Sequence, residues 1–187
     1  LIEQSRAPVV VKGKIMADVN ISAQGFDPAV FLKTLKAKGD VAINEGVIEK
    51  LNIAKAVLGS TLGIIPGLTD ALDGALANTI KDKLGDNATV LDKATGKFSI
   101  ANQIINLEDA VALTKAFELN AKGTIGLDMN TNVATTIFLT KDISDEISNK
   151  VEQLGYLRDE SGRIKIAGQV EGVIPAIHFK PNVEVKD

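Results

Sequence analysis

The chain has 187 residues, enough for one domain with a sizeable core, and its 21 Lys and Arg against 24 Asp and Glu leave a net charge of -3. That balance argues against an electrostatic hold on nucleic acid, and six Phe, one Tyr and no Trp supply few stacking platforms for bases. The absence of cysteine removes disulfides, thiolate metal sites and cysteine nucleophiles together.

From Val9 to Ala23 the odd positions are apolar or glycine, while Lys12, Lys14, Asp18, Asn20 and Ser22 lie between them, which predicts a long half-buried strand. Asp27 followed by Pro28 marks a helix start, with the carboxylate as N-cap and a short helix to about Leu35. Phe26 and Phe31 occupy the positions of a hydrophobic staple. Gly39 to Ile43 alternates again, and Asn44-Glu45-Gly46 reads as a turn leading into Val47-Ile48.

The section from about Glu49 to Gly85 has a different period. Leu68, Leu72, Leu76, Ile80 and Leu84 recur every four residues, so a helical insertion over about 49–85 is expected, capped by Gly85. Leu58 to Gly67 is rich in glycine and contains Pro66, and is expected to be an irregular apolar hinge. The uncharged run from Ala56 to Thr69 is shorter than the roughly 20 residues of a membrane-spanning helix.

Strands resume at Lys97–Ala101 and Ile104–Leu107 around the turn residues Asn102-Gln103. From Val111 to Leu139 apolar residues then fall at nearly every second position: Val111, Leu113, Phe117, Leu119, Ala121, Ile125, Leu127, Met129, Val133, Ile137 and Leu139. Period two is the strand period, and the phase is unchanged across Asn130-Thr131-Asn132. Two antiparallel strands keep their apolar sides together only if the loop holds an odd number of residues, so a three-residue turn is expected there. Asp142 opens a further helix with Ile143, Ile147, Val151 and Leu154 on one face, ended by Gly155. Asp159-Glu160-Ser161-Gly162 is a polar turn, and Ile164, Ile166, Gly168 and Val170 form the last clear strand. Pro175 and Pro181 confine the C-terminal stretch to a sheet edge or a loop.

The inventory for catalysis is thin. His178 is the only histidine, which excludes multi-histidine metal sites and paired imidazoles. The adjacent acids Glu108-Asp109 and Asp159-Glu160 point to opposite faces if extended, and Asp142, Asp145 and Glu146 suit the first turn of a helix. Gly59, Gly63 and Gly67 lack the lysine of a phosphate loop, and close backbone packing or a flexible apolar flap explains them better.

Three segments carry a family resemblance. Gly39-Asp-Val-Ala-Ile-Asn-Glu-Gly-Val-Ile48 resembles the strand-turn-strand of AsmA-like C-terminal regions, and Phe98-Ser-Ile-Ala-Asn-Gln-Ile-Ile-Asn-Leu107 their second such element. Ile166-Ala-Gly-Gln-Val-Glu-Gly-Val-Ile-Pro175 is similar to their closing segment. The match departs at Asn102-Gln103, where the family has glycine, and in the helical insertion, which has no counterpart. The resemblance implies a bacterial envelope protein, anchored in the inner membrane outside this fragment, whose periplasmic body is an elongated β-groove that moves phospholipid or assists outer-membrane assembly.

The expected fold is therefore mainly β with helical segments (α+β): a long curved antiparallel sheet covered on one side by helices, forming a single domain over 1–187. The expected function is non-enzymatic, without metal or cofactor. Phospholipid acyl chains and envelope proteins are the expected partners, and an apolar groove or flap is expected at Leu62, Ile64, Ile65, Ile125, Leu127, Val133, Ile137 and Leu139. Two alternatives stand beside it: a scaffold domain whose apolar face is simply its core, and an enzyme with acids gathered by the fold.

Overall fold

The computed structural model describes residues 10–62, 87–149, 152–174 and 176–182. It is mainly β, a single open sheet of eight antiparallel strands in which each strand pairs with its neighbours in sequence. The strands are β1 (Val10–Ser22), β2 (Lys36–Glu49), β3 (Ala88–Ala101), β4 (Ile104–Leu113), β5 (Phe117–Gly126), β6 (Asn130–Leu139), β7 (Lys165–Val173) and β8 (Ala176–Pro181). The described helices are α1 (Pro28–Thr34), α2 (Ile53–Leu62), α3 (Lys141–Ser148) and a 3-10 helix at Glu152–Leu157.

In such a meander the connections alternate between the two ends of the sheet. The β2–β3 and β6–β7 connections, which carry α2, α3 and the 3-10 helix, share one end with the β4–β5 turn. We call this the helical end. The β1–β2 connection with α1, and the β3–β4, β5–β6 and β7–β8 turns, share the other, the tip end.

Several local expectations meet a different outcome. Asn44-Glu45-Gly46 is not a turn between strands: β2 runs straight through it, and Glu45, at φ 51°, and Gly46 together face Gly13 as a β-bulge. Gly46 leaves no room for a side chain, since a Cβ there would lie 2.7 Å from Ile43 Cγ2. The ribbon's turn is Leu127-Asp128-Met129 rather than 130–132. Asp128 Oδ1 accepts from Asn130 N–H at 3.0 Å and Met129 takes φ 70°, which closes the loop three residues early while keeping its odd length. Asn102 and Gln103 both adopt positive φ, 52° and 64°, and so make a two-residue hairpin turn without glycine.

β4 contains a second bulge, between Leu107 and Ala110. It reverses the side of everything after it, so Val111 and Leu113 sit opposite Asn120 and Glu118 and not on the face of Phe117 as expected. β1 is a strand but not a half-buried one, being exposed along almost all its length because it forms an edge. β8 is the other edge, which accommodates Pro181.

Around α1, Asp27 Oδ1 accepts from Ala29 N–H at 2.9 Å and Val30 N–H at 3.1 Å, as the N-cap reading requires. The staple does not form, since Phe26 stands fully in solvent. α2 is regular to Leu62 and so runs through Gly59, in place of the irregular hinge expected there; the rest of the insertion lies outside the described residues. α3 starts after Thr140 and ends before Asn149, and Gly155 falls within the 3-10 helix instead of ending a longer α-helix.

The core lies at the helical end. Ala54 and Val57 of α2, Ile143 and Ile147 of α3 and Leu154 of the 3-10 helix cluster with Phe117, Ile137, Leu139, Ile164, Ile166 and Phe179. Two buried hydroxyls fasten the helices there. Thr89 Oγ1 accepts from Ile53 N–H at 3.0 Å and donates to the Leu51 carbonyl at 2.8 Å, fixing the start of α2. Ser144 Oγ accepts from Ile164 N–H at 2.9 Å and donates within α3 to the Thr140 carbonyl at 2.9 Å, joining α3 to the entry of β7.

Candidate functional site: the apolar face of the sheet

Strand register decides which side chains share a face, and here it sorts them by polarity across the whole sheet. One row of directly paired residues runs Ile21, Ala37, Ile100, Ile105, Ile125, Thr131, Gly172, Ile177 from β1 to β8. The next runs Val19, Gly39, Phe98, Leu107, Gly123, Val133, Val170, Phe179, and the third Ala17, Val41, Gly96, Ala110, Ala121, Thr135, Gly168, Pro181. A fourth, from Ile15 to Ile166, continues through Ile43, Ala94, Ala112, Leu119 and Ile137. None of these rows holds a charged residue. The opposite face is the more polar one: a row of it reads Asn20, Lys38, Ser99, Asn106, Thr124, Asn132, Glu171, His178, although another, Met16, Ala42, Thr95, Val111, Asn120, Thr136, Ala167, is uncharged too.

The β4 bulge is what keeps the sorting intact. It absorbs one residue of the Glu108-Asp109 pair, so that Ala110 and Ala112 take up the apolar positions.

Side-chain size gives the apolar face its relief. The third row is made of Ala, Gly, Val, Thr and Pro, between rows that carry Phe98 and Leu107 on one side and Ile43, Leu119 and Ile137 on the other. The small row is thus a shallow trough across the strands, walled on one side at a time because Gly39, Ala94, Ala112 and Gly123 interrupt the flanking rows. With neighbouring strands about 4.8 Å apart, it spans about 34 Å from one edge of the sheet to the other. Burial along it is uneven. Thr135 and Gly168 are buried, the latter beneath the Phe179 ring, whereas Val41, Gly96, Ala110 and Ala121 are only half-buried and Ala17 is exposed.

Of the eight groove residues expected from sequence, the fold brings Ile125, Val133, Ile137 and Leu139 onto this face. Ile137 and Leu139 are 2% and 1% exposed and belong to the core cluster, so they are closed to a ligand. Leu127 is in the β5–β6 turn and off the face; Leu62 is the last residue of α2; Ile64 and Ile65 lie outside the described residues. The accessible part of the face includes Ile125 of the expected site, together with Val19, Val41, Ile43, Phe98, Ile100 and Leu107, which the expected site lacks. The same two-residue period marks them, but only the strand order shows that they continue the β5–β6 ribbon.

The polar face bears a hollow of about 490 Å³ lined by Met16, Asp18, Asp40, Ala42, Thr95, Lys97 and Asp109. Asp18 is paired across strands with Asp40, and Lys97 with both Asp40 and Asp109. Among the described residues no three metal-ligating side chains converge, here or elsewhere. His178 is exposed on the β8 edge.

The acids at the helical end have structural partners. Asp145 receives hydrogen bonds from Lys141 and Arg158, both at 2.6 Å, and these hold its carboxyl below the ordinary Asp value, Lys141 contributing most. Asp159 is held low chiefly by the Arg163 backbone N–H, against a smaller opposing effect of burial. Arg163 also donates to Glu118 at 3.0 Å, which raises its own pKa, and lies over the Phe138 ring at 4.7 Å.

No family model, no curated protein and no solved structure matches this chain.

Proposed function

We propose that this chain is a non-enzymatic lipid-handling module of the bacterial envelope, in which the sheet curves around its apolar face, α2 and α3 cover part of that face, and the trough of small residues holds a phospholipid acyl chain lengthwise. The observation that carries the reading is the uncharged face maintained through eight strands yet left only half-buried from β2 to β5. An apolar surface of this extent on a soluble domain is a site for something apolar. The resemblance of Gly39–Ile48, Phe98–Leu107 and Ile166–Pro175 to AsmA-like regions supports the same reading. It suggests a periplasmic setting, an inner-membrane anchor outside this sequence, and envelope proteins as further partners. Each methylene taken from water contributes about 0.8 kcal/mol, so a partly enclosed chain gives measurable affinity.

The test is binding of a fluorescent fatty acid and a fluorescent phospholipid, together with mass spectrometry of lipids extracted from the purified protein. Val41→Asp sets a carboxylate in the half-buried part of the trough and is expected to weaken the probe at least tenfold with the circular dichroism spectrum unchanged. A folded protein that binds neither probe and yields no lipid overturns the reading in favour of a scaffold domain. So does a Val41→Asp variant that binds as well as the wild type.

A further inference from the structure

The tip end carries a surface that the trough does not explain. α1 buries none of its residues, although Val30, Phe31 and Leu32 make up nearly half of it. Phe26, just before its N-cap, has a relative exposure of 108%, so it touches almost nothing. A helix this short has no stability of its own in water, where roughly 12–15 residues are needed even for favourable sequences. Hydrogen bonds fix it in place of packing: Asp27 caps its start, and Thr34 Oγ1 accepts from Gln24 N–H at 2.9 Å while lying 2.9 Å from the Val30 carbonyl. The connection is thus built to present a formed, apolar turn to the outside.

Its neighbours at the same end have the same character. Ile104 follows the β3–β4 turn and Met129 closes the β5–β6 turn, and both are exposed. Lys33, Lys36 and Lys38 are exposed beside α1 and form no ion pair among the described residues. The carboxylates at the same tips are engaged, Asp27 in the helix cap and Asp128 with Asn130, and the cross-strand pair of Asp18 and Asp40 follows Lys38 one step further from the tip. A chain with a net charge of -3 therefore shows a locally basic, apolar end.

We propose that the tip end docks on an anionic membrane surface, with Phe26, Val30, Phe31 and Leu32 inserted among the headgroups and Lys33, Lys36 and Lys38 against their phosphates. Apolar side chains flanked by lysines are what an interfacial element requires. A second copy is a poorer occupant, because a two-fold contact of α1 on α1 would bring the unpaired lysines together. The docking rests on this end's own surface and does not require that the trough hold a lipid.

The experiment is co-flotation of the full chain with vesicles of phosphatidylcholine mixed with phosphatidylglycerol, and with phosphatidylcholine alone. The wild type is expected to float with the mixed vesicles and to be released by high salt. The double variant Phe26→Ser/Phe31→Ser is expected to lower partitioning by roughly tenfold or more. The triple variant Lys33→Gln/Lys36→Gln/Lys38→Gln removes about fivefold per lysine and with it the preference for phosphatidylglycerol. All five side chains are exposed, so unchanged circular dichroism is expected of both variants. Failure of the folded wild type to float overturns the proposal, as does flotation that neither variant changes. Self-association of the wild type that the Phe variant abolishes, without flotation, assigns the surface to a second copy and overturns it too.

Discussion

Ile15, Ile43 and Ile137 lie in one row of the apolar face, on β1, β2 and β6, but their relative exposures differ, with Ile15 at 53%, Ile43 half-buried and Ile137 at 2%. Trimming each to alanine applies the same chemical change at three depths. Full burial of the carbons removed is worth about 2.5 kcal/mol, at about 0.8 kcal/mol per methylene. At Ile137 the surrounding Leu119, Ile166 and helical side chains cannot all collapse into the gap, and a cavity cost brings the loss to about 3–4 kcal/mol. At Ile15 roughly half of the transfer term is at stake and no cavity forms, so the loss is about 1 kcal/mol, with Ile43 between the two. Urea unfolding of the three variants, followed by circular dichroism with a shared m-value, measures the gradient directly. Equal losses at Ile15 and Ile137 would refute the reasoning, because they would mean that the β1 side of the face is as deeply covered in solution as the β6 side.

Ser144→Ala is expected to cost about 1–3 kcal/mol in the same assay, because the Ile164 N–H at the mouth of β7 would be left buried without an acceptor; a loss below about 0.5 kcal/mol would show that the bond is not needed. The pKa of Asp145 is lowered in the fold by Lys141 and Arg158, so its contribution is fully present above the unfolded value of 3.8 and is lost as pH falls through the depressed folded value. The urea midpoint should therefore drop on acidification below 3.8, and Asp145→Asn should flatten that part of the profile; identical acid profiles for wild type and variant would contradict the assignment.

Most of the sheet was legible in the sequence because alternation reports the side on which each residue points. What alternation cannot report is register. Val111 and Leu113 keep the phase of Phe117 and Leu119 along the chain, yet the bulge at Glu108-Asp109 puts them on the polar face. A bulge is defined by the partner strand, and no period within one strand reveals it. The β5–β6 turn could close at 127–129 or at 130–132 with equal parity, and the choice falls to Asp128, whose carboxylate captures the Asn130 N–H. Nor does alternation tell whether anything covers the apolar side. β1 reads like β6, but Val133 and Ile137 are buried while Ile15 and Ile21 are not, a difference set by the place of each strand in the sheet and the helices at its end. The staple between Phe26 and Phe31 fails for a related reason: the motif supplies two apolar residues at the right spacing, but nothing packs against the turn to hold them together.

The meander also bears on how the chain is made. Each hairpin joins sequence neighbours and can zip as soon as its two strands exist, with the two longest, helix-bearing connections falling between β2 and β3 and between β6 and β7. The core does not share this locality. Ala54 and Val57 come from the first third of the chain, whereas Ile137, Ile166 and Phe179 come from the last, and α2 lies against β8. During synthesis the early hairpins therefore emerge with their greasy side open to water and must wait for the final strand to be translated before α2 can settle. A ribosome-bound chain stalled before β8 would expose the apolar rows of β1 to β4, and that nascent stage is where a holding chaperone would be needed most.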